Sequence, residues 1–442
     1  MNKIRLIVFA SALHDAASVM DSRKTLFDGL GKMAEVEMAL ADNTAAWEAG
    51  AVEAENVSAV CFIATGGTEE IFERHFDDVL RVCCGAMLRP IMILSDGLHN
   101  SFAASFEICT FLHRRGIQGI LVNAPLCPDA DFFSSFGKAL DDLSSATGQN
   151  EVVTSAGTAY YPENVLKYYS GRKIGLIGGE SAWLIASHID RDAVEVSFGC
   201  KFVDVSIKEL EMNYFEIRQT GTASMMRGYR EMCGVLSGND GRFGKARSEE
   251  DLCDALNMYL ALKRMCEKYR LDALTIKCFD LLGPCRTTAC LGLALLNDAG
   301  TVSGCEGDIP TLWTMMYAQA TAGGKGMTFM ANPSSSDTGE CTVDFAHCTV
   351  PIAMTESFSL PSHFESSIGI GVAGILPLGR YELLKIGGEA LDRMFRVEGE
   401  VIENTHVVER CRTQVRFKFD SRIDFDKFMS NRLGNHVILC RL

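Results

Sequence analysis

The first third of the chain alternates short, wholly apolar runs with longer amphipathic ones, and this constrains its fold more than any other feature. Arg5–Ala10, Val36–Ala41, Ala59–Ala64, Pro90–Ser95 and Gly119–Asn123 read as strands, with helical stretches at Glu69–Cys83 and Ser101–Arg115. Strands apolar along their whole length, separated by helices, are the pattern of a parallel sheet covered on both faces. Five such units fill one doubly wound domain.

Polar, turn-rich sequence at Gly148–Gly171 marks a boundary. Lys173–Gly179 opens a second α/β unit, with a long helix over Ser248–Tyr269, a strand over Ala273–Cys278 and a helix over Thr288–Asn297. Pro310 starts another helix, where its missing N–H costs little. Strands follow at Met327–Ala331 and Thr342–His347. From about Ser362 helical periodicity fades, and Ile368–Ile375 and Arg412–Phe419 alternate as strands do. The expected organisation is two doubly wound (Rossmann- or flavodoxin-like) α/β domains, 1–170 and 171–345, then a β-rich, barrel-like domain, 346–442. Glu306 falls in the second and His436 in the third.

The net charge of −15 argues against a phosphate backbone as partner. No apolar run reaches the roughly 18 residues of a membrane helix. The Met1–Ala10 run is too short for a secretory signal. With 17 cysteines, an odd number, and no C-x-x-C pair, reduced thiols in a cytoplasmic protein are expected, most of them buried.

Glu306 lies in Gly304-Cys305-Glu306-Gly307-Asp308, between a strand and a helix, at the strand edge where α/β sheets bind ligands. Asp308 fits the cap of the Pro310 helix; Glu306 lies further from it. His347 and His436 sit amid apolar residues, where a satisfied core histidine and a metal ligand are both admissible. A mixed carboxylate and imidazole set suits Mn²⁺ or a similar divalent ion better than it suits a thiolate-selecting site. The glycine turns Thr65–Glu69 and Ile177–Ser181 match no nucleotide motif and read as strand-to-helix turns near a substrate. No G-x-S-x-G elbow is present.

An ordered series of short motifs resembles the fucose-isomerase-like family, related to arabinose isomerases. It comprises His99-Asn100-Ser101, Ile174–Gly179 with Trp183-Leu184, Thr275–Leu282, Cys305–Pro310, Phe329–Pro333, Ala346–Pro351, His363-Phe364-Glu365-Ser366, Cys411–Gln414 and Gly434-Asn435-His436. The resemblance implies an aldose–ketose isomerase using Mn²⁺ or another divalent cation, with an enediol intermediate. It implies Glu306 as metal ligand and acid/base, His436 as ligand, and His347 as ligand or an adjacent catalytic group. It also implies a trimer or hexamer in which His99 and Asn100 of a neighbouring subunit reach the sugar. Trp183 and Arg412 are further substrate-binding candidates; Arg412 reads equally as a salt-bridged strand residue. One position departs from the family pattern. A second metal-binding carboxylate is expected near the end of the Phe329–Pro333 strand, and Asn332 stands there, a catalytic position without a base. Asp337 or Asp344 are substitutes to consider. A non-catalytic sugar-binding or regulatory protein, or another metal-dependent sugar reaction, is the alternative.

Overall fold

Alternate residues of the first strands divide between two hydrophobic clusters, one on each face of a sheet. Ile7, Phe9, Cys61, Ile63, Ile91 and Ile93 pack with Phe72, Ile108 and Leu112. Leu6, Val8, Val60, Phe62, Met92 and Leu94 pack with Leu26, Leu30, Phe136 and Leu140. Side chains alternate across a strand, so an all-apolar run supplies both faces. The structure, a computed structural model, describes residues 3–11, 16–33, 35–41, 57–84, 90–145, 154–220, 247–324 and 326–442. Residues 148–153 of the expected boundary segment lie outside this set.

The first sheet is parallel, in the order Glu35–Ala41, Lys3–Phe9, Val57–Ile63, Ile91–Asp96, Gly119–Ala124. The second is also parallel, in the order Val302–Gly304, Ala273–Ile276, Lys173–Ile177, Lys201–Val205. Its long helix Glu249–Tyr269 begins at a capping box in which the Ser248 side chain and the Asp251 side chain each accept from the other's backbone N–H.

The third sheet is antiparallel. Phe329–Asp337 pairs with Thr342–His347 and Val437–Arg441, and Thr342–His347 pairs with Thr413–Phe419. Thr413–Phe419 pairs with Arg393–Glu403, which pairs with Gly379–Gly387, which returns to Val437–Arg441. The pairing therefore runs full circle. The helix Ile309–Thr321, apolar nearly all round, is buried along its length, Trp313 and Met316 included. The protein is thus mixed α/β, with two parallel sheets and an antiparallel C-terminal region.

Three expectations shift. The boundary placed between 345 and 346 falls inside the antiparallel sheet, because Phe329–Asp337 and Thr342–His347 find their partners in the C-terminal segment. Gly157–Thr158, assigned to the first domain, pairs with Arg393 and Met394 of that same sheet. The strand expected to stop at Ala331 continues past Pro333, where the register shifts between Pro333 and Ser335. Such an irregularity is where a strand accommodates proline.

Candidate metal centre and adjoining pocket

The sheet brings the two histidines together. Ala346 pairs with Asn332 and Val437 with Ala331, so His347 and His436 each lie one residue from the same central strand. Their ring centroids are 5.5 Å apart. Opposite them, Glu306 follows the strand Val302–Gly304. His347 Nε2 lies 3.5 Å and His436 Nε2 3.6 Å from Glu306 Oε1.

Backbone geometry aims Glu306 inward. Both Glu306 (φ 60°) and Gly307 (φ 65°) are left-handed. Gly307 N donates to Ile276 O at 2.9 Å, fixing the turn to the neighbouring strand. A Cβ on Gly307 would lie 2.6 Å from Gly179 O, so the close approach requires glycine there. Asp308 then caps the helix Ile309–Thr321, accepting from Thr311 N at 2.7 Å, as its position in the sequence suggests.

Asp308 has a second task. His436 Nδ1 donates to Asp308 Oδ2 at 2.9 Å, and buried Lys385 lies 3.5 Å from the same oxygen. That bond fixes the imidazole and leaves Nε2 facing Glu306. His347 Nδ1 is likewise 2.9 Å from Thr349 Oγ1. Burial opposes charge on Glu306, but the two histidines outweigh it and hold its carboxyl well below the usual range. Burial also opposes charge on His436, yet Glu306 and Asp308 raise its pKa to about 9. A bound cation would displace that proton.

His347 Nε2, His436 Nε2 and Asn332 Oδ1 are buried with no hydrogen-bond partner. Unpaired buried polar atoms are costly, and native proteins satisfy nearly all of them. Three of them in one neighbourhood, with a carboxylate, fit a cation. One ligand atom from each of Glu306, His347 and His436 comes within 4.8 Å of the others. The structure therefore provides a cluster able to hold a metal ion, of a type its donors alone do not fix.

Beside the cluster lies a pocket where the carboxyl edges of the two parallel sheets meet. Gly66, Gly67, Glu69 and Asn100 come from the first sheet's loops; Trp183, Phe279 and Glu306 come from the second's. Asn332, Glu365 and Asn435 close it from the antiparallel region. Trp183 Nε1 donates to Glu306 Oε2 at 3.3 Å. Asn100 Nδ2 donates to Glu365 Oε1. Burial, followed by the charge of Glu306, pushes the Glu365 pKa up to about 8. Burial raises Glu69 as well.

Of the expected residues, Glu306, Asn332, Asn100 and Trp183 line the pocket, and His347 and His436 form the cluster behind it. Asn100 lines the same pocket as Glu306 within a single chain. His99, at φ 52°, lies 3.4 Å from Arg23 and is not among the lining residues. Arg412 is buried, and its guanidinium donates to Ser362 O at 2.7 Å; it also lies off the pocket. It is neither a surface salt bridge nor placed to touch a ligand there. Asp337 and Asp344, considered as substitutes for Asn332, lie away from its pocket. Both line a separate cavity, and Asp344 is held at 2.8 Å by Arg410 and by Arg416.

Glu69, Phe279, Glu365 and Asn435 had no assigned role in the sequence. The signal available for Glu365 was a single acidic residue in a loop whose other members, His363 apart, are apolar or small. The cysteines whose side chains are described are free thiols, most of them buried. No described helix is long and apolar enough to cross a membrane.

No protein-family model and no curated protein matches the sequence. Among solved structures, A-type ketoreductases from a modular polyketide synthase are similar at a TM-score of 0.27 and 12% identity, over 68% of this chain and 79% of that one. A likeness that slight carries no argument about this chain.

Proposed function

We propose that this chain is a metal-dependent aldose–ketose isomerase of the fucose/arabinose isomerase type. The observation that carries the reading is the convergence of Glu306, His347 and His436, with unpaired histidine nitrogens, beside a pocket between two sheet edges. Among the described residues, no lysine, arginine or histidine lines that pocket. Its carboxyls and carboxamides suit an uncharged polyhydroxylated substrate, while Trp183 and Phe279 offer an apolar wall to sugar C–H groups.

Glu306, His347 and His436, joined by the neutral oxygen of Asn332, would hold a divalent ion such as Mn²⁺, which when bound polarises a sugar carbonyl. Glu306 takes the proton from C2 of the aldose and returns it at C1, by way of an enediol. Trp183 Nε1–H orients the carboxylate from its other oxygen. Asn100 and Asn435 bind hydroxyls. In the same reading the parallel sheets are doubly wound, flavodoxin-like units and the closed antiparallel sheet is a small barrel. The protein works as a homo-oligomer, trimer or hexamer, in the cytoplasm.

Asn332 favours a second reading, a sugar-binding protein without turnover, because a carboxamide carries no proton to a carbon. One experiment separates the two. The Mn²⁺-loaded protein is incubated with a panel of aldoses in deuterated water. Ketose carrying deuterium is expected, and Glu306→Gln should lose both bound metal and exchange. Thermal stabilisation by a sugar without exchange would establish the second reading. Neither effect with any sugar would refute both.

A further inference from the structure

We infer that Glu365 is a second catalytic carboxyl, which moves a proton between the two substrate oxygens while Glu306 serves the two carbons. The inference rests on the isomerase reading and assigns a role to a residue that reading leaves idle.

Among the described residues, three carboxyl groups line the pocket, Glu69, Glu306 and Glu365. Glu306 is committed to the histidine cluster. Glu69 opens the helix Glu69–Arg74, and its Oε2 is buried with no hydrogen-bond partner. Glu365 differs. It sits on the loop between Ser357–Ser359 and Ala373–Ile375, and its hydrogen-bond partner, Asn100, is 265 positions away on the opposite wall. Asn100 is left-handed, at φ 58°, and precedes the buried helix Ser101–Arg114. Its neighbour His99 is anchored through its carbonyl, which accepts from Gly66 N at 2.7 Å. Strain held in this way is stored where a side chain must be aimed. Asn100 occupies Oε1 of Glu365, which leaves Oε2 to carry the acid proton. Independently of that geometry, Glu365 has the protonation such a group needs, since its raised pKa keeps it an acid near neutrality.

The step balances without another reactant. Glu306 takes the proton from C2, and the C–H pair becomes the C1=C2 bond. The carbonyl pair moves onto O1, which takes the proton of Glu365. Glu365 then removes the proton from O2, whose bonding pair forms C2=O2. The C1=C2 pair takes back at C1 the proton held by Glu306. Both carboxyls end in their starting state.

Glu365→Gln preserves size and the contact with Asn100 but cannot shuttle a proton. With Mn²⁺-loaded enzyme and the aldose found active, kcat should fall about 10²–10³-fold, with KM and metal content unchanged. Should that variant not fold, Glu365→Asp keeps the acid but withdraws it by one methylene; kcat should fall and KM stay. Unchanged kcat in the folded variant overturns the role of Glu365 and leaves the isomerase reading standing. A fall in metal content matching the fall in rate also overturns it, since Glu365 would then serve the cluster. Absence of ketose from the wild-type enzyme with every aldose removes the isomerase reading and this inference together.

Discussion

Replacing Asn332 with aspartate tests the metal centre with almost no change in shape. The side chain is 3% exposed, and its Oδ1 has no partner. It lines the same pocket as Glu306, on the strand between those next to His347 and His436. In the metal-free protein the new carboxylate would share that pocket with Glu306, Glu69 and Glu365, and repulsion should destabilise the fold. With a divalent cation present the sign reverses. Two unit charges about 4 Å apart interact by about 4 kcal/mol at an effective dielectric of about 20. A divalent charge doubles that, and desolvation and repulsion from Glu306 remove much of it. A net gain of about 1.5–4 kcal/mol, or about 10–1000-fold in Kd, is expected. Calorimetric titration of Mn²⁺ into both proteins measures it. Equal affinities would refute the placement of Asn332 within reach of the cation and leave it as a strand residue before Pro333.

Three other perturbations test separate parts of the structure. Asp308→Asn keeps the helix cap, since asparagine also caps, but gives His436 Nδ1–H a neutral acceptor; Mn²⁺ affinity should fall about 10–100-fold in the same titration. Gly307→Ala places a methyl 2.6 Å from Gly179 O at a left-handed φ; chemical denaturation should show a loss of about 2–5 kcal/mol, accompanied by weaker metal binding. Glu365 gives a pH dependence. Its folded carboxyl keeps its proton up to about pH 8, whereas the unfolded one releases it near about 4.3. The stability tied to that proton is fully present below the unfolded value and is lost as pH rises through about 8. The Tm of the metal-free protein should therefore fall between about pH 5 and about pH 9, and Glu365→Gln should flatten the fall. An equal slope in that variant would place the titrating group elsewhere.

The parallel sheets were legible because their strands are apolar on both faces, and Lys3–Phe9 or Ile91–Asp96 leave no other economical reading. Glu306 was legible because a glycine-flanked acid between strand and helix is rarely a cap when another acid, Asp308, already fills that role. The third sheet was only partly legible. Phe329–Asp337 turns polar after Ala331 and contains Pro333, so alternation ends where the strand does not. Backbone pairing with Thr342–His347, across a register shift after Pro333, carries it on to Asp337 without any apolar alternation to mark it. Arg412 misled for a similar reason. A charged residue on an alternating strand reads as exposed, yet the carbonyl of Ser362 satisfies it in the interior.

The left-handed residues His99, Asn100 and Glu306 left no mark in the sequence. Only asparagine among them adopts that conformation with ease, and each of the others costs about 1–2 kcal/mol. Propensity argues against the turns that hold Asn100 and Glu306 in the pocket walls. They persist because long-range contacts over-determine them: Gly66 N on His99 O, Gly307 N on Ile276 O, and Gly307 packed against Gly179. In each case the glycine lies beside the strained residue or across from it, and the glycines were visible. A glycine pair such as Gly66-Gly67 or Gly178-Gly179, following an apolar strand in a chain with two parallel sheets, marks where another backbone must come close. The strained, chemically active residue belongs to that second backbone, so the glycines locate the pocket before its acids can be named.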